Sequence, residues 1–179
     1  MNSQFTIHDG MLRRYSQTLS FIQKHLPIER RVLDLGVSNP FSDILREKGY
    51  EVFNTHGEDL DIQPEVVREY DHIEFATALE ICEHLINPMA VLSQLPCDKL
   101  VASIPLSLWF AKAYRSKTDP WDRHFHEFED WQFDWLLEKA GWKVIDSEKW
   151  TSPVGKLGIR PLLRKITPRY YIVYAERAK

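Results

Sequence analysis

Three short stretches carry residue types that do chemistry. In "VLDLGVSNP", Val32 to Pro40, Asp34 sits two residues before Gly36 and the pair Asn39-Pro40 follows. An apolar run that stops at a glycine and opens into a helix is the outline of a loop that cradles a nucleotide-type cofactor. Glycine lets a ligand approach the backbone, and the helix start offers free N–H groups and a positive dipole end. In "ALEICEHLINPMAVLSQL", Glu80, Glu83 and His84 stand close together. In "HFHEF", His124 and His126 share a face if the stretch is extended. A histidine near its ordinary pKa takes a proton from a hydroxyl, so either one is a candidate general base or substrate ligand. A metal would need a third donor, usually at short spacing; Glu127 would point elsewhere in a strand, so no metal is expected.

The periodicity says which elements hold these stretches. Leu12, Tyr15, Leu19, Ile22 and Leu26 fall on one helical face that ends at Pro27. "RRVLDLG" reads as a buried strand, and Asn39 with Pro40 reads as the N-cap and first position of a helix stopped by Gly49. "YEVFN", "HIEFATALEI" and "KLVASIP" are three further strands. The stretch between the first two of these is polar and has no long period. Asn87-Pro88 repeats the cap signature, with Met89, Leu92 and Leu95 on one face. "EDWQFDWLLEKAG" is an amphipathic helix. "WKVIDSEKW" and "RYYIVYAE" are late strands, the last apolar on both faces and so central. Alternating strand and helix predicts an α/β domain with a mostly parallel sheet and an antiparallel C-terminal strand pair.

Composition sets the bounds. The 179 residues read as one domain, 44% apolar and 27% charged, with a formal net charge of -3. That charge gives no global drive toward nucleic acid or anionic membrane. Cys82 and Cys97 read as reduced thiols of a cytoplasmic protein, and "MNSQFTIHDG" has no signal-peptide pattern. No apolar run approaches the ~20 residues of a bilayer span. Dinucleotide G-x-G-x-x-G, Walker and G-x-S-x-G motifs are absent. Within the domain, 1–29 is a helical cap, 106–128 an aromatic and basic substrate segment, and 151–168 a basic insertion.

From about Arg30 to Trp150 the order of segments resembles a small class I S-adenosylmethionine-dependent methyltransferase. The segments are "VLDLGVSNP", "YEVFNTHGEDLD", "ALEICEHLINPMAVLSQL", "LVASIPL" and "HFHEFEDWQFDWLLEKAGWKV". The resemblance implies a Rossmann-like sandwich and S-adenosylmethionine as cofactor. It implies that Asp34, Gly36, Val37 and Ser38 wrap the methionine end, and that Leu79 and Glu80 line the centre with His84 just beyond. At the ribose position, where the family carries an acid, stand Asn54 and His56; Asp59 or Asp61 is offered as the missing acid or as partner of the adenine amine. The family's later loop glycines are Ser38 and Pro40 here. The short segment after "YEVFN" implies a sheet shortened in the middle and a more open adenine site.

The expected activity is methyl transfer to a small-molecule or glycan acceptor. The alternative is a methyltransferase-like binding or scaffold module with a degenerate cofactor loop. The aromatic and basic segment serves equally as helix packing or as a substrate lid. Lys156, Arg160, Arg164, Lys165 and Arg169, with no acid between Lys149 and Ala175, make a solvated insertion or a docking patch for an anionic partner. Nucleic acid is the weaker partner, because the run lacks stacking aromatics.

Overall fold

The structure is a computed structural model that describes residues 9–153, 155 and 157–178. The start of the expected helical cap and Lys156 of the basic run lie outside the described residues. The helices are α1 (Asp9–His25), α2 (Pro40–Glu47), α3 (Pro88–Leu92), α4 (Asp130–Lys139) and α5 (Ile159–Ile166). The strands are β1 (Arg31–Asp34), β2 (Glu51–Asn54), β3 (Phe75–Leu79), β4 (Lys99–Pro105), β5 (Trp142–Thr151) and β6 (Pro168–Arg177). They form one six-stranded sheet in the order β2-β1-β3-β4-β6-β5. β2, β1, β3 and β4 are parallel, and β6 runs antiparallel to both β4 and β5. This is the α/β architecture with a mostly parallel sheet that the residue pattern predicts, and the Rossmann-like sandwich that the resemblance implies.

Alternation along the strands feeds two apolar layers. On one face, Leu33, Ala76 and Ala102 pack with Leu92 of α3 and Phe133 and Leu137 of α4. On the other, Val32, Phe75 and Val101 pack with Phe21 and Ile22 of α1 and Phe41 and Leu45 of α2. Both faces are therefore covered, as a parallel sheet requires. β6 is central and its Tyr171 to Ala175 are buried.

Local signals hold with three differences. Asn39 caps α2 as expected: its Oδ1 accepts from the backbone N–H of Phe41 at 2.9 Å and of Ser42 at 3.2 Å. Asn87 precedes α3 but its side chain makes no cap bond. Asp61, from a distant loop, instead holds the lead-in to the helix, accepting from the N–H of Ile86 at 2.8 Å and of Asn87 at 2.7 Å. Leu12 of α1 and Met89 of α3 face outward instead of joining their predicted apolar stripes. Between β2 and β3 the chain forms only a 3-10 turn, Pro64–Glu69, so β2 is a sheet edge and the middle is shortened as expected.

Candidate functional site

Strand order reverses around β1: its successor β2 lies on one side and β3 on the other. In open α/β sheets this is where ligands bind, beyond the carboxyl ends of the strands. The Leu35–Asn39 loop leaves β1 there. Gly36 has φ +99°, a conformation an L side chain adopts only under strain. Space is not the reason for glycine, since an added Cβ would meet Ile81 Cδ1 at an ordinary 3.4 Å. Val37 and Ser38 at the loop tip are exposed.

Asp34 is 2% exposed and knits the elements beneath the loop. Its carboxylate accepts from Thr77 Oγ1 of β3 at 2.6 Å, Ser42 Oγ of α2 at 2.7 Å and Asn54 Nδ2 of β2 at 3.0 Å. Burial, partly offset by these bonds, raises its pKa above the ordinary carboxylate value. The loop's N–H groups are also engaged. Gly36 donates to Thr55 Oγ1 at 2.8 Å, Asn39 to Ser42 Oγ at 3.2 Å, and the first amides of α2 to Asn39. Asn54 Oδ1 accepts from Arg46 Nη2 at 2.7 Å, and Arg46 Nη1 also donates to Ser38 Oγ at 2.9 Å. A groove of about 520 Å³ opens beside these groups, lined by Val37, Ser38, Arg46, Asn54, His56 and Tyr70. Asp61 does not line it; its carboxylate is taken by the amides of Ile86 and Asn87. Just past the end of β2 the carboxylate of Glu58 accepts from the His56 N–H at 2.7 Å.

The end of β3 carries a second backbone outlier. Glu80 has φ +56°, which stores strain in a non-glycine residue. Its carboxylate accepts from Ser103 Oγ at 3.0 Å and pairs with Arg14 of α1 at 3.3 Å. Leu79 packs in the α1–α2 layer. The chain then turns through a 3-10 segment, Cys82–His84, whose Glu83 is 1% exposed. Glu83 Oε2 is buried without a partner, and burial together with Glu80 raises its pKa.

Residues 106–128 return over this turn. Phe125 N–H donates to the Glu83 carbonyl at 2.8 Å, and Leu106 bridges to Phe128. This brings His124 onto His84, with ring centroids 4.7 Å apart, and against Tyr114 at 4.6 Å. Burial and neighbouring His84 lower the His124 pKa. His84 Nδ1 lies 3.1 Å from the Arg123 carbonyl, a pure acceptor, so Nδ1 is the donor in this pair and Nε2 faces the cluster. Glu83, His84 and His124 each offer a ligand atom, all within 4.8 Å of one another. The expectation that metal has no third donor therefore meets a donor set assembled from two distant segments. His126 is not in it: Nε2 lies 3.2 Å from the Ile86 carbonyl and its ring lies beside Phe128.

Next to His124 a groove of about 540 Å³ is lined by Tyr114, Arg115, Lys117, Arg123 and Phe125. The sequence reading named His84 and Glu83 within the motif but gave neither Arg14 nor Arg46 a role. "E-H" was a local signal; nothing local marks an arginine in α1 that reaches residue 80. A concavity of about 560 Å³ lies at the opposite end of the sheet, near Arg30, Lys99 and Arg177, away from these groups. Both cysteines are free and buried, and burial pushes Cys97 up to about 12.

No family model matches the chain, and no curated protein matches it. Solved structures do. A 1,6-didemethyltoxoflavin-N1-methyltransferase of Burkholderia thailandensis, solved with its substrate and S-adenosylhomocysteine, superposes with TM-score 0.65 at 17% identity over 92% of this chain and 78% of that one. A SAM-dependent methyltransferase of Archaeoglobus fulgidus gives 0.60 at 16%, covering 91% and 94%. One from Methanosarcina mazei gives 0.59 at 14%, covering 88% and 97%. With its parallel strands, antiparallel C-terminal pair and glycine loop at the switch point, the chain has the fold of the class I S-adenosylmethionine-dependent methyltransferases.

Proposed function

We propose that the chain binds S-adenosylmethionine over the Gly36 loop and transfers its methyl group to a small-molecule or glycan nucleophile. The observation that carries this is the left-handed Gly36 at the switch point, beside the open groove at the end of β2. The fold neighbours are described as SAM-dependent, which supports the cofactor. The groups present fit it in a particular way. Val37 and Ser38 present their backbone, Arg46 a cation, and Tyr70 and His56 flat surfaces. The α2 amides that Asn39 caps take no part.

The sulfonium of S-adenosylmethionine is already activated, so the protein mainly holds the acceptor in line and keeps water out. His124 stands at the head of the second groove, beside the cationic and aromatic side chains of 106–128. Its role is to take the proton from an acceptor hydroxyl, or to hold that acceptor. His126, bonded to the Ile86 carbonyl, positions the segment instead.

A second reading is favoured by the buried, unpartnered Glu83 Oε2. A divalent cation held by Glu83, His84 and His124 would have a two-histidine, one-carboxylate donor set. Such an ion polarises an acceptor oxygen. His84 meets the usual second requirement, its other ring nitrogen being fixed by a carbonyl.

Calorimetric titration with S-adenosylmethionine and S-adenosylhomocysteine tests the cofactor. Micromolar binding to the wild type, lost in Gly36→Val, is expected. No heat at millimolar cofactor would replace this reading with the scaffold one. Titration with zinc or manganese, against Glu83→Gln, decides between the two readings of the histidine cluster.

A further inference from the structure

The link between β5 and β6 emerges at the same end of the sheet as the Gly36 loop. β4 and β5 both run antiparallel to β6, so the carboxyl end of β5, all of α5 and the start of β6 share the end where β1, β3 and β4 finish. The guanidinium of Arg169 in β6 donates to the Leu106 carbonyl at 2.6 Å, joining this link to the segment that carries His124.

α5, "IRPLLRKI", is strongly amphipathic. At 100° per residue Ile159, Leu162, Leu163 and Ile166 form one stripe, and Arg160, Arg164 and Lys165 lie on the other side. A surface helix ordinarily turns such a stripe to the core. Here no residue of α5 is buried, and Ile159, Leu162 and Ile166 are 80%, 61% and 71% exposed. Leu157, just ahead of the helix, is fully exposed. Among the described residues, Arg160, Arg164 and Lys165 have no carboxylate partner. On the same end of the molecule Trp109, Trp121 and Phe125 also point outward, among Lys112, Arg115, Lys117 and Arg123.

We propose that α5 is an interfacial helix that docks this end of the protein on an anionic lipid bilayer. Its apolar stripe enters the boundary between headgroups and acyl chains, and its cations meet the lipid phosphates. Exposed tryptophans suit the same interface, having one apolar and one wet side. The charge pattern selects this occupant. A second copy seated on α5 across a two-fold axis would bring two unpaired basic rims together, which opposes association. A nucleic acid would leave the apolar stripe in water. The net charge of -3 means the attraction is local to this face. Docking places the mouth of the His124 groove toward the membrane, so the acceptor is one carried on a lipid surface. That second statement rests on the methyltransferase reading; the docking does not.

Flotation with vesicles of phosphatidylcholine, alone or mixed with phosphatidylglycerol, tests the docking at low and high salt. The wild type is expected to float with the mixed vesicles at low salt and to be released by salt. Arg160→Ala and Lys165→Ala each lower partitioning roughly fivefold, and Leu162→Glu with Ile166→Glu abolishes it while circular dichroism is unchanged. Gly36→Val, which removes the cofactor, leaves flotation intact, so the two readings fail separately. Absence from mixed vesicles at low salt overturns the proposal. So does equal binding to neutral vesicles, or light scattering that shows a dimer dissolved by Leu162→Glu.

Discussion

At the scale of single residues, Asp34 shows how a sequence position and its structural role diverge. Its place before Gly36 reads as a ligand contact, yet its carboxylate ties β1, β2, β3 and α2 together. Asp34→Ala leaves two buried hydroxyls, those of Thr77 and Ser42, without their acceptor, so it is expected to cost about 2–3 kcal/mol in urea unfolding. Its pKa is raised by burial, against Thr77, Ser42, Asn54 and the Arg46 charge. A carboxyl raised on folding contributes stability that is full below its ordinary pKa and is lost as pH rises through the folded value. The stability of wild type relative to Asp34→Asn is therefore expected to fall as pH rises above the ordinary carboxylate pKa, as read by thermal unfolding. Gly36→Val forces a branched side chain into φ +99° and is expected to cost about 1–3 kcal/mol along with cofactor binding. None of Asp34's partners was legible in the sequence, because Asn54 and Thr77 are brought in by strand pairing.

At the scale of elements, what was legible was what is local. Asn39-Pro40, the apolar strands and the aromatic helix at Asp130–Lys139 are each specified within a few residues. At the second Asn-Pro pair the motif marks the helix start, but the Asn87 side chain makes no cap bond, and the amides leading into the helix are held by Asp61 of another segment. Asp61→Ala is expected to cost about 1–2 kcal/mol, the loss of two bonds from a carboxylate to backbone amides, whereas Asn87→Ala should lie within about 0.5 kcal/mol of wild type. Chemical denaturation of both variants checks this. The histidine cluster has the same origin. His84 and His124 meet only because residues 106–128 fold back over the turn after β3.

At the scale of the whole molecule, chemistry-bearing groups gather at one end of the sheet, and the strand order explains why. Loops that follow parallel strands all emerge there, so the glycine loop, Glu80, the histidine cluster and α5 share that end of the sheet without sequence proximity. The fold class was therefore readable from alternation, while the composition of the site was not. The shortened middle has a further effect. With no strand beyond it, β2 presents one open side on which a strand of another molecule could be added. Arg46 guards that side: its guanidinium donates to the Val52 carbonyl at 3.3 Å and places a charge over the strand. Arg46→Ala is expected to make the protein associate edge to edge with rising concentration, visible in light scattering. On that expectation one side chain that lines the groove beside Gly36 also blocks growth of the sheet from one molecule into the next.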